Sequence, residues 1–136
     1  MFLLDTNVVS ELRKAQADKN VTAWARSVAA PSLFLSAITV LELETGILRV
    51  ERRDPAQGGL LRSWLDNHVI PAFAGRILAV DSAVALRCAR LHVPDRSNEC
   101  DALIAATALV HGLTVVTRNM ADFQSSGVRL INPWVV

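Results

Sequence analysis

The stretch Phe2-Leu3-Leu4-Asp5-Thr6-Asn7 determines the expected fold of this chain. Three consecutive apolar residues are typical of a strand buried on both faces of a parallel sheet. Thr6 or Asn7 can cap a following helix, because their side-chain oxygens accept hydrogen bonds from the first helical turn. Asp5 is therefore expected at the carboxyl edge of a central strand, where open α/β sheets form their sites. An ordinary turn-forming Asp is the alternative.

Apolar runs and helix-type patterns alternate along the rest of the chain. Four further strands are predicted at residues 33–36, 77–80, 114–117 and 128–131. Helices are predicted over residues 8–12, 21–28, 37–49, 60–69, 82–91 and 100–111, with Pro55 and Pro71 as breaks. The alternation predicts one α/β domain over residues 1–136, a three-layer sandwich in which helices flank a parallel sheet of about five strands.

The composition fits a compact protein and argues against a strong electrostatic field over the whole surface. The chain has 136 residues, of which 51% are hydrophobic, and this is enough to bury a core. Its formal net charge of +1 produces no basic field over the whole surface. A nucleic acid would therefore have to be held through local contacts.

Nothing in the sequence predicts a membrane location. Asp5 interrupts the N-terminal apolar run, so no signal peptide is expected. The longest uncharged run, residues 102–117, is too short to span a bilayer. Cys88 and Cys100 lack metal-ligand spacing and are expected to be reduced thiols, and the histidines are expected to be structural. We therefore expect a cytoplasmic protein.

Five polar side chains are candidates for the carboxyl edge of the sheet, where the three that follow strands would be neighbours and the two on helices could lean in from either side. They are Asp5 after the first strand, Glu42 and Asp101 on helices, and Asn119 and Asp122 after the fourth strand. Carboxylates ~4 Å apart repel each other by ~4 kcal/mol at an effective dielectric near 20, so such a cluster needs protons or cations. Oxygen ligands suit Mg²⁺ or Mn²⁺, ions that can activate water for phosphodiester hydrolysis.

Each acid also has a simpler structural interpretation. Asp101 follows Asn98 by three residues and could belong to a helix cap, and Asp122 could cap a short turn. Glu42 could be a solvated surface acid. A helical wheel places Glu44, not Glu42, on the apolar face of the helix, so periodicity leaves the choice between them open.

Four motifs, in this order, resemble those of the PIN domain family. They are Leu3-Leu4-Asp5-Thr6-Asn7, the segment 35–43 that contains Glu42, the segment 101–108 that begins with Asp101, and Val116-Thr117-Arg118-Asn119 followed by Asp122-Phe123. The closing Asn132-Pro133-Trp134 is similar to VapC/FitB-type toxins. The resemblance covers nearly the whole chain.

The resemblance implies a Mg²⁺- or Mn²⁺-dependent ribonuclease that acts as a homodimer and is the toxin of a type II toxin–antitoxin pair. It places the metal-site acids on Asp5, Glu42 and Asp101, which selects Glu42 over Glu44. The family's fourth acid position falls on Asn119, and Asp122 matches the acid found in many VapC members. The resulting hypothesis is one firmly held ion, joined by a second one with the substrate.

The resemblance also implies roles for the other residues and for partners. In the hypothesis drawn from it, Asp5, Asp101 and Asp122 would hold the ion, and Glu42 would either hold a metal-bound water or orient it as general base. The ligands or the phosphate would be hydrogen-bonded by Thr6, Asn7, Thr117, Arg118 and Asn119. RNA is the expected substrate, a small VapB-like antitoxin would block the site with a basic side chain, and DNA would be contacted only through that antitoxin.

Rival fold classes lack their own signatures in this sequence. A phospho-receiver domain needs a lysine late in the chain, whereas Lys14 and Lys19 are the only lysines. Nucleotide-binding folds need a Gly-rich loop after a strand, and none is present. The remaining alternative is a catalytically weak PIN module that acts mainly as a binding or regulatory subunit with its antitoxin, since Asn119 replaces an acid.

Overall fold

Five parallel strands form the centre of the computed structural model, which describes residues 1–135. Val136, the last residue of the predicted domain, lies outside the described residues. The strands are β1 (Phe2–Leu4), β2 (Leu33–Ser36), β3 (Ile77–Leu78), β4 (Thr114–Val116) and β5 (Leu130–Ile131). Their order in the sheet is β3-β2-β1-β4-β5, and every pair is parallel. The predicted parallel sheet with a central first strand is confirmed.

Helices connect these strands. In the described residues they are α1 (Thr6–Arg13), α2 (Lys19–Ser27), α3 (Ala37–Arg53), α4 (Pro55–Trp64), α5 (Ile70–Ala72), α6 (Ser82–Leu91) and α7 (Glu99–His111). The first two helices link β1 to β2, the next three link β2 to β3, and the last two link β3 to β4. Over residues 1–135, none of them combines the length and apolarity that crossing a membrane requires.

Successive residues of each strand face opposite sides of the sheet, and both sides are covered. Leu4 packs in one hydrophobic cluster with Leu35 and Val116, against residues of α1 to α4. Leu3 packs in a second cluster with Val115 and residues of α7. Strands covered on both faces read as continuous apolar runs, as the first stretch does. The three-layer sandwich predicted from the sequence is therefore confirmed.

The predicted boundary between α3 and α4 is wrong. The helix expected to end at Arg49 continues to Arg53, and the next one begins directly at Pro55. Asp54 caps this second helix, because its Oδ1 accepts a hydrogen bond from Gln57 N at 3.2 Å. Proline fits the first helical position, which needs no N–H donor. Pro55 therefore marks the start of a helix and not only a break.

The helical path also continues through Pro71, where a break is predicted. A π-helical turn, Leu65–Val69, precedes this proline, and α5 follows the turn directly. In a regular α-helix the proline ring collides with the carbonyl group one turn earlier. A wider π turn relieves that collision, so the chain keeps its direction past the proline.

Close packing between α3 and α4 generates a prediction about stability. A Cβ atom at Gly58 would lie 2.5 Å from Glu51 Cα and 2.8 Å from Glu51 N. These are backbone atoms that cannot rotate away. Gly58→Ala is therefore expected to lower the free energy of unfolding by ~1–3 kcal/mol, the usual effect of overpacking.

Gly59→Ala is the matched control in the same helix, because nothing lies within 4 Å of its Cβ position. Helix propensity should raise the stability of this variant by ~0.5–1 kcal/mol. Urea-denaturation midpoints measure both effects. Equal midpoints for the two variants would show that the two helices are not in close contact at Gly58.

Candidate active site

The order of the strands reverses at β1, and the candidate site lies there. β2 and β3 lie on one side of β1, whereas β4 and β5 lie on the other. Diverging connections leave a crevice at the carboxyl ends of the two central strands. Asp5 directly follows β1, Thr117 directly follows β4, and the Thr117 hydroxyl donates a hydrogen bond to Asp5 Oδ2 at 2.8 Å. This hydrogen bond therefore joins the carboxyl ends of β1 and β4 within the crevice.

Asp5 is fixed in place and nearly enclosed. It is the N-cap of α1, with Oδ1 accepting a hydrogen bond from Thr6 N at 2.8 Å. Asn7 Nδ2 donates to Oδ2 at 3.3 Å, and the residue is only 7% exposed. Burial raises the pKa of Asp5, the charges of Glu42 and Asp122 raise it further, and hydrogen bonds to its oxygens oppose this only in part. The protonated form of Asp5 is therefore more favoured than it is in an unperturbed Asp.

Glu42 reaches the same crevice from α3. Thr6 Oγ1 donates a hydrogen bond to Glu42 Oε1 at 2.6 Å, and Thr39 Oγ1 lies 3.4 Å from Thr6 Oγ1. Thr39 is fully buried, so this hydroxyl pair is held in a fixed position. The first residue of α1 therefore positions the carboxylate that α3 supplies.

Glu44 is engaged elsewhere, which answers the question that the helical wheel leaves open. It forms a salt bridge with Arg62 of α4, and Arg62 also pairs with Glu51 at 3.0 Å. The hydrogen bond from Arg62 lowers the pKa of Glu44. Because α3 contacts α1 on one side and α4 on another, an acid can be half-buried on two different faces of this helix. Glu42 faces the crevice, and Glu44 faces α4.

Asp101 approaches the crevice from the first turn of α7. Asn98 caps this helix, with its Oδ1 accepting a hydrogen bond from Asp101 N at 3.1 Å. The cap uses the backbone of Asp101 and leaves its carboxylate available. Partial burial raises the pKa of Asp101 to about 6, and the charges of Asp122, Asp5 and Glu42 contribute to the rise. The other three acids are therefore close enough to disfavour the ionisation of Asp101.

The loop after β4 carries Asn119 and Asp122. Asn119 N donates to Thr117 Oγ1 at 3.0 Å, and the Asn119 side chain is exposed at the rim of the crevice. Asp122 ends a short 3-10 turn, Met120–Asp122, and is also exposed. The next short turn, Gln124–Ser126, has no side-chain cap, so the simpler interpretation of Asp122 as a cap does not apply.

Asn7 and Arg118 connect this loop to α1. Asn7 Oδ1 accepts a hydrogen bond from Arg118 N at 3.3 Å, and Asn7 Nδ2 lies 3.4 Å from Thr117 Oγ1. The Arg118 guanidinium lies over the Trp134 ring, 5.3 Å from its centre. The structure therefore arranges around one crevice the residues selected from the sequence, namely Asp5, Thr6, Asn7, Glu42, Asp101, Thr117, Arg118, Asn119 and Asp122.

The described residues supply no positive partner to the acids of the crevice. None of Asp5, Glu42, Asp101 and Asp122 forms a salt bridge within residues 1–135. Their donor atoms are all oxygens, which suit Mg²⁺ or Mn²⁺ better than zinc. In the same range, no three of these carboxylates bring ligand atoms within 4.8 Å of one another. Mg²⁺ keeps several waters and needs only one or two direct carboxylate ligands, so the donor chemistry of these residues fits a hard divalent ion.

A second group of potential ligands, not predicted from the sequence, lies between α6 and α7. Cys88 Sγ and His92 Nε2 are 3.7 Å apart, and His92 Nε2 is 3.7 Å from Glu99 Oε1. Residues four apart on a helix lie on one face, and this spacing was the available signal. The expectation that Cys88 lacks metal-ligand spacing is wrong, because His92 follows it by four residues and Glu99 lies beside both.

One hydrogen bond argues against a metal ion at this second group. Ser97 N donates to His92 Nδ1 at 3.0 Å, so Nδ1 carries the lone pair of the neutral ring. Nε2 then carries the proton and has no lone pair for an ion. Burial raises the pKa of Cys88, which remains a free thiol. The group instead ties α6 to the start of α7, the helix that carries Asp101.

An acidic crevice lined by oxygen donors, at the switch point of a parallel sheet, defines a class of α/β protein suited to divalent ions and phosphate groups. The model of the PIN domain family matches residues 2–124. The chain therefore belongs to the PIN domain family, as its sequence motifs predict.

Similar proteins and solved structures agree with this assignment. The chain is 39% identical to VapC ribonuclease Y4jK from Sinorhizobium fredii over 98% of each chain, and 38% identical to Toxin FitB from Neisseria gonorrhoeae over 98% of this chain and 99% of the relative. The crystal structure of FitAcB from Neisseria gonorrhoeae matches with a TM-score of 0.92 at 38% identity and covers 100% of both chains. FitAB bound to a DNA fragment matches with a TM-score of 0.87 at 35% identity, over 100% of this chain and 97% of that chain.

The raised pKa of Asp101 generates a prediction about stability and pH. Asp101 has a pKa of about 6 in the folded protein against 3.8 for an unperturbed Asp, so between these pH values the unfolded state binds fewer protons. Stability must therefore fall as pH rises through this window. In chelator-treated protein, the free energy of unfolding should decrease from pH 4 to pH 7, and Asp101→Asn should flatten the decrease.

Asp66→Asn is the control, because this exposed acid lies on the π-helical turn, away from the crevice. It should leave the slope of stability against pH unchanged. Urea denaturation at a series of pH values measures the slopes. A wild-type slope in the Asp101→Asn protein would mean that Asp101 is not held close to the other acids.

Proposed function

We propose that this protein is a Mg²⁺- or Mn²⁺-dependent endoribonuclease, the toxin of a VapBC-type toxin–antitoxin pair. The observation that carries the proposal is the cluster of Asp5, Glu42, Asp101 and Asp122, which has no cationic partner within the described residues. The names of the relatives, a ribonuclease and a toxin, supply the substrate class and the biological role. A divalent ion satisfies the acids, and it also binds phosphate oxygens.

Asp5 and Asp101, with Asp122 beside them, are the residues that would hold the ion. When bound, the ion would supply positive charge opposite the phosphate oxygens of the substrate. Asp5 is fixed by the end of β1 and by the start of α1, so its oxygens are already oriented. With Asn119 in place of an acid, one ion is held firmly and a second one joins only with the substrate.

Glu42 is the proposed general base. Thr6 occupies its Oε1, which leaves Oε2 to accept a proton from the attacking water. The water oxygen forms a bond to phosphorus in line with the departing ribose oxygen. The bond between phosphorus and that ribose oxygen breaks, and the ribose oxygen takes up a proton from solvent. Thr6 therefore acts by holding Glu42 in the orientation that this step requires.

The remaining polar residues would orient the site and the substrate. Thr117 and Asn7 orient Asp5 through their hydrogen bonds to Oδ2. The exposed side chains of Asn119 and Arg118 are placed at the rim to contact the phosphate and the neighbouring ribose. With a net charge of +1, binding depends on such local contacts and on the shape of single-stranded RNA.

The proposed partners follow from the surface and from the similar structures. A small VapB-like antitoxin would inhibit by placing a basic side chain among the acids, and DNA would be bound only through that antitoxin. The similar FitAB complex bound to a DNA fragment supports an antitoxin partner. A second copy of the chain would cover the exposed leucines of α3 and α4, which are Leu41, Leu48 and Leu60. The proposed toxin is a single PIN domain over residues 1–136 that acts in the cytoplasm.

A catalytically weak module that mainly binds RNA or supports the antitoxin is the second candidate, and the exposed Asn119 favours it. Antitoxin-free protein incubated with a panel of RNAs separates the two. Cleavage that requires Mg²⁺ or Mn²⁺ supports the nuclease. RNA binding without cleavage in either ion supports the weak module.

The two neighbouring acids of α3 generate a prediction about catalysis. Glu42→Gln should reduce Mg²⁺-dependent RNA cleavage by ~10²–10⁴-fold, the usual contribution of a general base. Glu44→Gln is the matched control, because Glu44 is paired with Arg62 and faces away from the crevice. It should leave the cleavage rate within a few-fold of wild type. Equal rates for the two variants, measured under single-turnover conditions, would contradict the role of Glu42.

The hydroxyl of Thr6 generates a second prediction about catalysis. Thr6→Val removes the donor to Glu42 Oε1 at nearly the same volume. It should lower the rate of the chemical step by ~10–100-fold, as loss of an orienting partner usually does. Thr6→Ser keeps the hydroxyl and should restore most of the rate, with KM nearly unchanged in both. Failure of serine to rescue would mean that the methyl group, and not the hydrogen bond, is what matters.

A further inference from the structure

A polar depression of about 490 Å³ lies between the end of α1 and one face of α2. The charged side chains that line it are all cationic, namely Lys14, Lys19 and Arg26. Thr22 lines it as well, and most of the remaining wall consists of alanines that leave the depression open. The depression therefore offers positive charge and a hydroxyl in a concave, accessible place.

Three of these residues form a row along α2. Lys19, Thr22 and Arg26 follow one another at spacings of three and four residues, which places them on one side of the helix. Seven residues of helix separate the two cations by ~10 Å. Within residues 1–135 neither Lys19 nor Arg26 forms a salt bridge. Their charges are therefore not neutralised by the protein.

The acids nearest to this row are engaged with the backbone. Glu11 accepts hydrogen bonds from Asp18 N at 2.9 Å and from Lys14 Nζ at 3.0 Å. Asp18 caps α2 by accepting from Asn20 N at 2.8 Å and from Val21 N. These two carboxylates hold the connection between α1 and α2 in place. Lys14 is paired with Glu11, whereas Lys19 and Arg26 are exposed and form no salt bridge within residues 1–135.

The row lies within reach of an RNA strand whose scissile phosphate is in the acidic crevice. α1 begins at the crevice with Thr6 and ends at Arg13, directly before Lys14, a distance of ~12 Å along the helix. Arg118, at the rim of the crevice, is near enough to Glu11 that its charge contributes, after Asp18 N–H and Lys14, to lowering the pKa of Glu11. Cationic groups therefore continue from the crevice to the depression.

We propose that the row Lys19–Thr22–Arg26, together with Lys14, binds the phosphodiester backbone of the RNA substrate several nucleotides from the scissile phosphate. This inference rests on the proposed ribonuclease function, and it names where the uncut part of the substrate is held. The acids of the crevice repel phosphates unless an ion is bound, so a separate cationic contact supplies the affinity that the crevice lacks.

Salt-dependent binding of RNA tests the proposal. The probes are a fluorescent single-stranded oligoadenylate of about 12 nucleotides and the matching trinucleotide, with anisotropy as the readout. Chelator-treated protein is used, because divalent ions compete with counterion release and permit cleavage. For the longer probe, Lys19→Gln/Arg26→Gln should reduce the slope of log K against log salt by ~1.4, or ~0.7 for each phosphate that is no longer neutralised. Between 50 and 200 mM salt the variant should lose about sevenfold less affinity than the wild type.

Arg87→Gln/Arg90→Gln on α6 is the matched control, because it removes the same charge from exposed positions on a helix of the opposite layer. It should keep the wild-type slope, and the trinucleotide should not distinguish the proteins. Equal slopes for the two double variants, or an equal effect on the trinucleotide, would overturn the proposal. If wild-type protein binds neither probe, this inference fails. Absence of Mg²⁺- or Mn²⁺-dependent cleavage by the wild-type protein would remove the ribonuclease function as well, whereas normal cleavage with equal slopes removes only this inference.

Discussion

Mutual repulsion among the carboxylates of Asp5, Glu42, Asp101 and Asp122 is the constraint on which the rest of the site depends. Asp5, Glu42 and Asp101 come from three different helix starts or helices of the sandwich, so no local movement of one loop can separate these three. The repulsion is opposed by the packing of the whole sandwich, since moving Asp5 away would displace the central strand. Strain of this kind persists where the surrounding structure over-determines it, and it is typical of functional sites.

The protein stabilises these acids with neutral donors instead of cations. Thr117 and Thr6 donate hydroxyl protons to Asp5 and Glu42, which orients the carboxylates and leaves their negative charge in place. Where the same chain uses acids for structure, it pairs them with arginine, as Arg62 does with Glu44 and Glu51. An arginine in the crevice would satisfy the acids permanently, and an ion or a basic side chain of a partner could then no longer gain by binding there.

The structure could be predicted best from the sequence where the residues that decide it lie close together in the chain. Asp5 was placed correctly because an apolar run, an acid and capping residues lie within six positions. Asp101 was ambiguous, because a cap and a site acid look alike in sequence, and the structure combines both: Asn98 caps the backbone while the carboxylate faces the other acids. Helical periodicity could not distinguish Glu42 from Glu44, because α3 packs against other helices on two faces.

Other features could not be predicted because they depend on how elements meet. The contact of His92 with Glu99 requires that the loop between α6 and α7 folds back, which no periodicity reports. The path through Pro71 depends on a π-helical turn, for which single-sequence rules have no signal. β3 and β5 are shorter than predicted, because edge strands have one neighbour and pair only where that neighbour extends.

The formal charge of +1 illustrates why a sum over the chain is a poor guide to what a surface binds. At physiological salt a charge is felt over ~8 Å, and the length of α1, ~12 Å, separates the acidic crevice from the cationic end of the same helix. The two fields therefore act almost independently on a bound polymer. A polyanion can be attracted at one place and held at a distance at the other, and a divalent ion in the crevice would weaken that repulsion. Under the proposed function, a nearly neutral chain would thus discriminate between the scissile phosphate and its neighbours, which a uniformly basic surface would not do.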